Sequence, residues 1–350
     1  MSDKTFSASS LTTPLNAPFD DFRDLVNLAP GPDEAAVEAV RARDRFLTKP
    51  PGALGRLEDL VEWLAAWQGK AKPAVNKPLV AVFAANHGIA ARGVSAYPAE
   101  VTKQMVANFA AGGAAINQLC QTFDIGLKVF ELALDFPTPD ISQGPAFDEA
   151  ACAATMAYGM ESLASEPDLL CLGEMGIANT AVAAAVYLGL YGGEAADWVG
   201  PGTGVTGSAL TRKSEIIAEA LAANAGHDGD GFEVLRRLGG REIAAMVGAI
   251  IGARHRRIPV VVDGFVATAA AAVIHAVNPA GIDHCLFAHV SAEPAHARVL
   301  ARLGKEPLLN LGMRLGEGTG AAIAASIVRA AANAHNGMAT FGEAGVTDKG

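Results

Sequence analysis

Apolar positions early in the chain recur at helical spacing. Pro32-Asp33 precedes Ala36, Val37, Val40 and Phe46, and Lys49-Pro-Pro-Gly52 stops the run. A second stripe of Leu54, Leu57, Leu60, Val61, Leu64 and Trp67 predicts another helix. The pattern then changes to short apolar runs alternating with longer Ala-rich segments. Six runs read as strands: Leu79–Ala84, Leu127–Ala133, Asp168–Leu172, Ile258–Val262, His284–Ala288 and Pro307–Leu311. Several are continuously apolar, as parallel strands covered on both faces must be. Helical segments between them make βαβ units. The expected fold class is therefore α/β, a Rossmann-like parallel sheet of about six strands covered by helices.

Ligands of such sheets bind beyond the carboxyl ends of the strands. Polar or glycine-rich stretches follow most of these runs: Asn86-His-Gly-Ile89, Gly173-Glu-Met-Gly176, Asp263-Gly-Phe265, His289-Val-Ser-Ala-Glu293 and Gly312-Met-Arg-Leu-Gly-Glu-Gly-Thr-Gly320. Their shared position is the main argument for a site there.

Composition narrows the classes of function. The chain has 350 residues, 51% hydrophobic and 18% charged, enough for a sizeable core, and a formal net charge of −10. That balance argues against a nucleic-acid partner, since gripping phosphate backbones calls for a basic surface. Cys120, Cys152, Cys171 and Cys285 form no CxxC pair and sit in apolar stretches, as buried reduced thiols of a cytoplasmic protein do. Residues 1–20 are rich in Ser, Thr and Pro without the apolar stretch of a signal peptide, and no run is long enough for a membrane span. Residues 1–20 and 338–350 read as weakly ordered tails.

Three glycine-rich segments offer chemistry. Gly173-Glu-Met-Gly-Ile-Ala-Asn-Thr180 runs from a strand into a helix that Asn179 or Thr180 could cap, and a helix N-terminus favours an anion. The same residues also suit an ordinary strand-to-helix turn. Gly200-Pro-Gly-Thr-Gly204 lets backbone approach a phosphate, with Lys213 nearby as a point charge, or is simply a loop. Leu315-Gly-Glu-Gly-Thr-Gly320 places Glu317 between glycines before a helix over 321–332. A helix N-terminus would lower the pKa of Glu317 and an apolar pocket would raise it. His87, His289 and His296 have no zinc-ligand spacing and suit hydrogen-bonding roles instead. Ser95, Ser208 and Ser291 lie in no GxSxG motif. Residues 93–106 read as a loop and then a helix, with Pro98 in its first turn. Val101, Met105 and Phe109 share one face, either as core or with Tyr97 as the wall of a flat pocket to which Ser95 and Gln104 add polar contacts.

Taken together, Lys49-Pro-Pro-Gly-Ala-Leu-Gly-Arg-Leu-Glu58, Asn86-His-Gly88, Gly93-Val-Ser-Ala-Tyr-Pro98, Asn108-Phe-Ala-Ala-Gly-Gly113, Gly173-Glu-Met-Gly-Ile177, Gly202-Thr-Gly204, Val262-Asp-Gly-Phe265, Ser291-Ala-Glu-Pro294 and the segment 312–320 resemble, in order, the nicotinate-nucleotide–dimethylbenzimidazole phosphoribosyltransferase family of cobalamin lower-ligand synthesis. The resemblance implies a homodimer and a reaction without metal or cofactor. It also implies a small helical domain from both chain ends, 21–75 plus about 321–337, beside a large α/β domain over 76–320. Ribose 5-phosphate would pass from nicotinate mononucleotide to 5,6-dimethylbenzimidazole, with Glu317 as general base. Glu174, Gly176, Gly202, Thr203, Gly204, Lys213, Ser291 and Gly316 would surround the nucleotide. Ser95, Tyr97, Gln104, Met105 and Leu315 would line the benzimidazole pocket. The chain departs from the family at Ala178-Asn-Thr-Ala181, usually Gly-Asn-Thr-Thr, and at Val205–Ser208, where an acidic residue is usual. Two other activities compete: transfer from phosphoribosyl pyrophosphate with magnesium, for which the strand-end acidic pair is missing, and non-catalytic carriage or sensing of a benzimidazole-type base.

Overall fold

The computed structural model describes residues 17–347. The chain opens with α1 (Pro18–Asn27). Asp33 then accepts the Ala36 N–H (2.9 Å) and caps α2 (Glu34–Asp44). α3 (Arg56–Gln68) follows, burying Leu60, Val61 and Leu64 from the predicted stripe.

The α/β region alternates as the sequence pattern requires. β1 (Pro78–Ala84) leads through α4 (Val101–Ala110) and α5 (Ala115–Phe123) to β2 (Gly126–Glu131), then α6 (Glu149–Met160) and β3 (Leu169–Met175). α7 (Asn179–Tyr191), α8 (Ser208–Ala223), α9 (Gly231–Leu238) and α10 (Arg241–His255) precede β4 (Val260–Val262). α11 (Phe265–Val277), β5 (Cys285–Phe287), α12 (His296–Arg302), α13 (Thr319–Gly337) and α14 (Phe341–Ala344) complete the chain. The strands pair in parallel in the order β2-β1-β3-β4-β5.

Strand periodicity divides the core. Leu79, Ala81 and Phe83 of β1 face one cluster, with α6, α7, α10 and α11. Val80 and Val82 face the other, with α3, α5 and α13. Every β1 residue is buried, as its continuous apolar run requires.

The expected sixth strand is corrected. Pro307–Leu311 forms only a parallel bridge, Leu309 to His289, beside β5. Pro307 has no N–H to give, and Gly312 turns the chain away at φ 66°. The sheet therefore has five strands. α4 likewise begins at Val101, with Pro98 accepting the Val101 N–H (3.2 Å) ahead of it rather than inside its first turn.

α2 packs on α3 and α3 on α13, whereas α1 lies against α6 and α11. Of the expected tails, residues 1–16 and 348–350 lie outside the described residues. Residues 338–347 carry α14, and Thr340 bridges to Leu47. Among the described residues, no helix is long and apolar enough to cross a membrane.

The chain runs from β1 outward to β2 and returns past β1 to β3. This reversal opens a crevice between the carboxyl ends of β1 and β3, where such sheets bind ligands.

Candidate active site

A cavity of about 470 Å³ lies at that crevice. Its apolar lining is Tyr97, Val101 and Met105 after β1, with Ile177 and Leu315. Glu174 and Glu317 bring carboxyl groups to it, and Gly176, Gly202, Thr203, Ser291 and Gly316 complete the predicted set that lines it.

The turn carrying Glu317 is unusual. Gly316, Glu317 and Gly318 all have positive φ, 84°, 62° and 84°. A side chain in this region costs about 1–2 kcal/mol, because Cβ crowds the backbone. Such strain persists only where surrounding structure imposes it. Below the turn lies Gly173 of β3, where a Cβ would stand 2.7 Å from the Glu317 carbonyl and the Gly318 nitrogen. The Glu317 N–H donates to the Glu174 carbonyl (3.2 Å). The glycines around this acid are thus a packing requirement: backbone crosses backbone, and the carboxyl is delivered to the cavity.

Glu317 is 5% exposed and accepts the Ile116 N–H at 3.3 Å. Burial pushes its pKa above the ordinary value, opposed by that N–H and reinforced by Asp263. Burial, with Asp263 and Glu242 adding to it, pushes Glu174 up to about 8, although the Asn179 amide donates to its carboxyl. Asn179 is therefore not the helix cap: α7 starts after Ala178, and no side chain caps it. Ala178 has φ 76°, a conformation glycine adopts freely. This gives a physical reason for the family's usual glycine there.

Glycine-rich backbone at Gly202 and Thr203 also lines the cavity. Gly202 has φ 53°, and its N–H donates to Glu293 (2.9 Å). Arg314 lines the cavity and donates to the Gly202 carbonyl (2.7 Å).

Comparison with known proteins agrees with this geometry. The sequence model of a phosphoribosyltransferase family matches residues 29–346. Nicotinate-nucleotide–dimethylbenzimidazole phosphoribosyltransferase of Rhizobium meliloti strain 1021 is 64% identical over 332 residues, covering 95% of this chain and 98% of the relative. The chain belongs to the nicotinate-nucleotide–dimethylbenzimidazole phosphoribosyltransferase family. Its counterpart from Brucella anthropi is 63% identical over 330 residues, 94% of this chain and 97% of the relative. The crystal structure of the Thermus thermophilus enzyme superposes with a TM-score of 0.83 at 39% identity, covering 91% of this chain and 100% of that one. The resemblance in the sequence motifs is confirmed.

In this phosphoribosyltransferase not every predicted site residue reaches the cavity. Lys213 is 1% exposed and does not line it; its ammonium donates to the Gly200 carbonyl (2.9 Å) and to Thr180 (3.2 Å). Burial lowers its pKa to about 8, and Glu293 acts against that shift. Ser95 also stands back, hydrogen-bonded to the Thr203 hydroxyl (2.9 Å). Gly204 lies behind Thr203, and Gln104 is exposed on α4 away from the cavity. Conversely, Arg314, Asn179, Thr180, Glu293 and His289 line the cavity without having been singled out as site residues. All five stand inside the segments 173–180, 289–293 and 312–320. Their charge and hydrogen-bonding capacity at a strand end were the available signal.

Of the three histidines singled out, His296 takes the expected hydrogen-bonding role. His296 accepts the Ser291 N–H at Nδ1 (2.7 Å), so Nε2 carries the proton facing Thr268 (2.9 Å). Its burial pushes the pKa down to about 3, keeping the ring neutral. His87 lies beneath Gly176 with Nε2 3.0 Å from a Glu242 oxygen, but neither of its ring nitrogens makes a hydrogen bond among the described residues, so the expected role is not seen there.

Proposed function

We propose that the cavity holds nicotinate mononucleotide against a benzimidazole, and that ribose 5-phosphate passes from nicotinate to the benzimidazole nitrogen with Glu317 as general base. The observation that carries this reading is the strained turn presenting a buried carboxyl beside a flat apolar wall. The C1′–nicotinate bond breaks and a C1′–benzimidazole bond forms, while the benzimidazole proton moves to Glu317. Nicotinate leaves readily because its ring nitrogen is cationic in the donor. Attack from the face opposite the leaving group converts a β-nucleotide into an α-nucleotide. The product is α-ribazole 5′-phosphate for nucleotide-loop assembly in cobalamin synthesis.

Roles follow from position. Glu174, Gly176, Gly202, Thr203, Ser291 and Gly316 surround the nucleotide. Arg314 supplies a cation at the cavity surface, and Lys213 with Gly204 supports the phosphate loop from behind. Tyr97, Met105 and Leu315 sandwich the benzimidazole, with Ser95 orienting Thr203 and Gln104 outside the wall. The exposed apolar side chains of Tyr97, Leu311 and Leu315 support a homodimer in which a second copy covers this rim. Four buried free cysteines support a cytoplasmic location.

Release of nicotinate from nicotinate mononucleotide should require an added benzimidazole and should rise with pH. The ionised carboxylate is the active form, and burial raises its folded pKa above 4.5. Activity is therefore lost as pH falls through that raised value, earlier than for an exposed carboxylate. Glu174 and Asp263 titrate nearby, so the limb belongs to the cluster. Nicotinate release without a benzimidazole, or a rate that does not fall on acidification earlier than an exposed carboxylate would make it, would overturn the reading.

A further inference from the structure

We infer that Asp263 is a positioning residue for the reaction: it holds the turn that aims Glu317 into the cavity. This rests on the reading of Glu317 as the base. Asp263 follows β4 and is 1% exposed. One carboxyl oxygen accepts the Gly318 N–H (3.2 Å) and the other the Ala321 N–H (2.9 Å). These donors lie at the start of α13, where helix geometry leaves N–H groups without carbonyl partners. An anion there also meets the positive end of the helix dipole.

The strands beneath and beside the left-handed turn hold it: Gly173 makes room, the Glu174 carbonyl accepts the Glu317 N–H, and Asp263 pins its far side. Within the turn the Thr319 hydroxyl donates to the Gly316 carbonyl (2.8 Å), so Asp263 is the side chain that braces it from a neighbouring strand end. The Asp263 carboxyl does not line the cavity, so removing its charge deletes no direct substrate contact. The neighbouring titratable groups are Glu174, Glu317 and the His289 ring, whose Nε2 lies 3.7 Å away.

The direction of the electrostatics is separable from simple bracing. The Asp263 charge raises the Glu317 pKa, and burial pushes Asp263 itself up to about 7 against the N–H groups of Ala321, Gly318 and Gly320, so the two carboxyls titrate as a coupled pair. A variant that loses this charge should displace the acid limb of the rate profile to lower pH, which a merely structural defect would not do. Asparagine is the informative replacement. It keeps one oxygen acceptor but turns an amide N–H₂ toward a backbone N–H, so the turn loses one anchor while volume is conserved.

The test uses the full-length enzyme and nicotinate release, in Asp263→Asn, Glu317→Gln and the double variant. Asp263→Asn should lower kcat by ~10²-fold, the scale of a misplaced catalytic group. The KM for nicotinate mononucleotide should stay within about threefold, as expected when a transition-state interaction is lost. Its acid limb should move to lower pH. In the Glu317→Gln background the same change should cost less than about threefold, because both act on one proton transfer. Asp263→Ser, smaller but still an acceptor, gives the same cycle if Asp263→Asn does not fold. Near-normal kcat in Asp263→Asn beside a crippled Glu317→Gln would overturn this inference alone. So would equal losses in both backgrounds. A fully active Glu317→Gln would instead overturn the base assignment.

Discussion

With Glu317 as the proposed base, Glu317→Gln should leave an enzyme that binds nicotinate mononucleotide normally and turns over ~10²–10⁴-fold more slowly, the usual worth of a positioned general base. Glutamine keeps the shape of the side chain and its acceptor for the Ile116 N–H, so the turn has no reason to collapse. What disappears is the capacity to take a proton. The variant should also be no less stable than the parent at neutral pH. The folded pKa of Glu317 lies above its ordinary value. Across that interval the folded state binds more protons than the unfolded one, so stability falls as pH rises through it. An uncharged residue escapes this cost. Kinetics with equilibrium binding of the donor and a thermal melt would check both halves. Similar losses in donor affinity and turnover would mean that Glu317 binds rather than acts as a base.

Gly173→Ala should cost both stability and turnover although Gly173 contributes no side chain to the site. Its Cβ would meet backbone 2.7 Å away on the Glu317 turn, and neither partner can rotate aside. Either β3 shifts within a sheet whose neighbours are buried, or the turn lifts and Glu317 leaves its position. Overpacking of this kind costs about 1–3 kcal/mol. Displacement of the base by about 1 Å can cost ~10²-fold in rate. We therefore expect a lower melting temperature together with a kcat loss approaching that of Glu317→Gln. A variant with unchanged kcat and melting temperature would show that the close crossing of β3 and the turn does not govern the base.

Much of this was legible in the sequence. Continuous apolar runs located β1, β3 and β4 because parallel strands inside the sheet are covered on both faces, whereas the edge strand β2 alternates and is largely exposed. Asp33 announced α2 because a side-chain acceptor is needed where helix N–H groups are free. The strand-end stretches located the cavity because parallel strands end together. Pro307–Leu311 misled, since an apolar run reports burial and not a hydrogen-bonded ladder: only Leu309 bridges to His289 beside β5. Lys213 and Arg314 could not be ranked from sequence, because which cation meets the cavity depends on how the Gly200–Gly204 loop folds over α8. The same limit hid Asp263, whose partners lie more than fifty residues away in the chain. Asn179 looked like a cap from its place before a helix, yet Glu174 takes its amide.

The most direct measurement is a crystal structure of the enzyme with 5,6-dimethylbenzimidazole bound. The account predicts the ring between Tyr97, Met105 and Leu315, with one ring nitrogen at about 2.6–3.2 Å from a Glu317 carboxyl oxygen, the reach of a general base. A ring seated with both nitrogens turned away from Glu317, or bound outside this cavity, would contradict it.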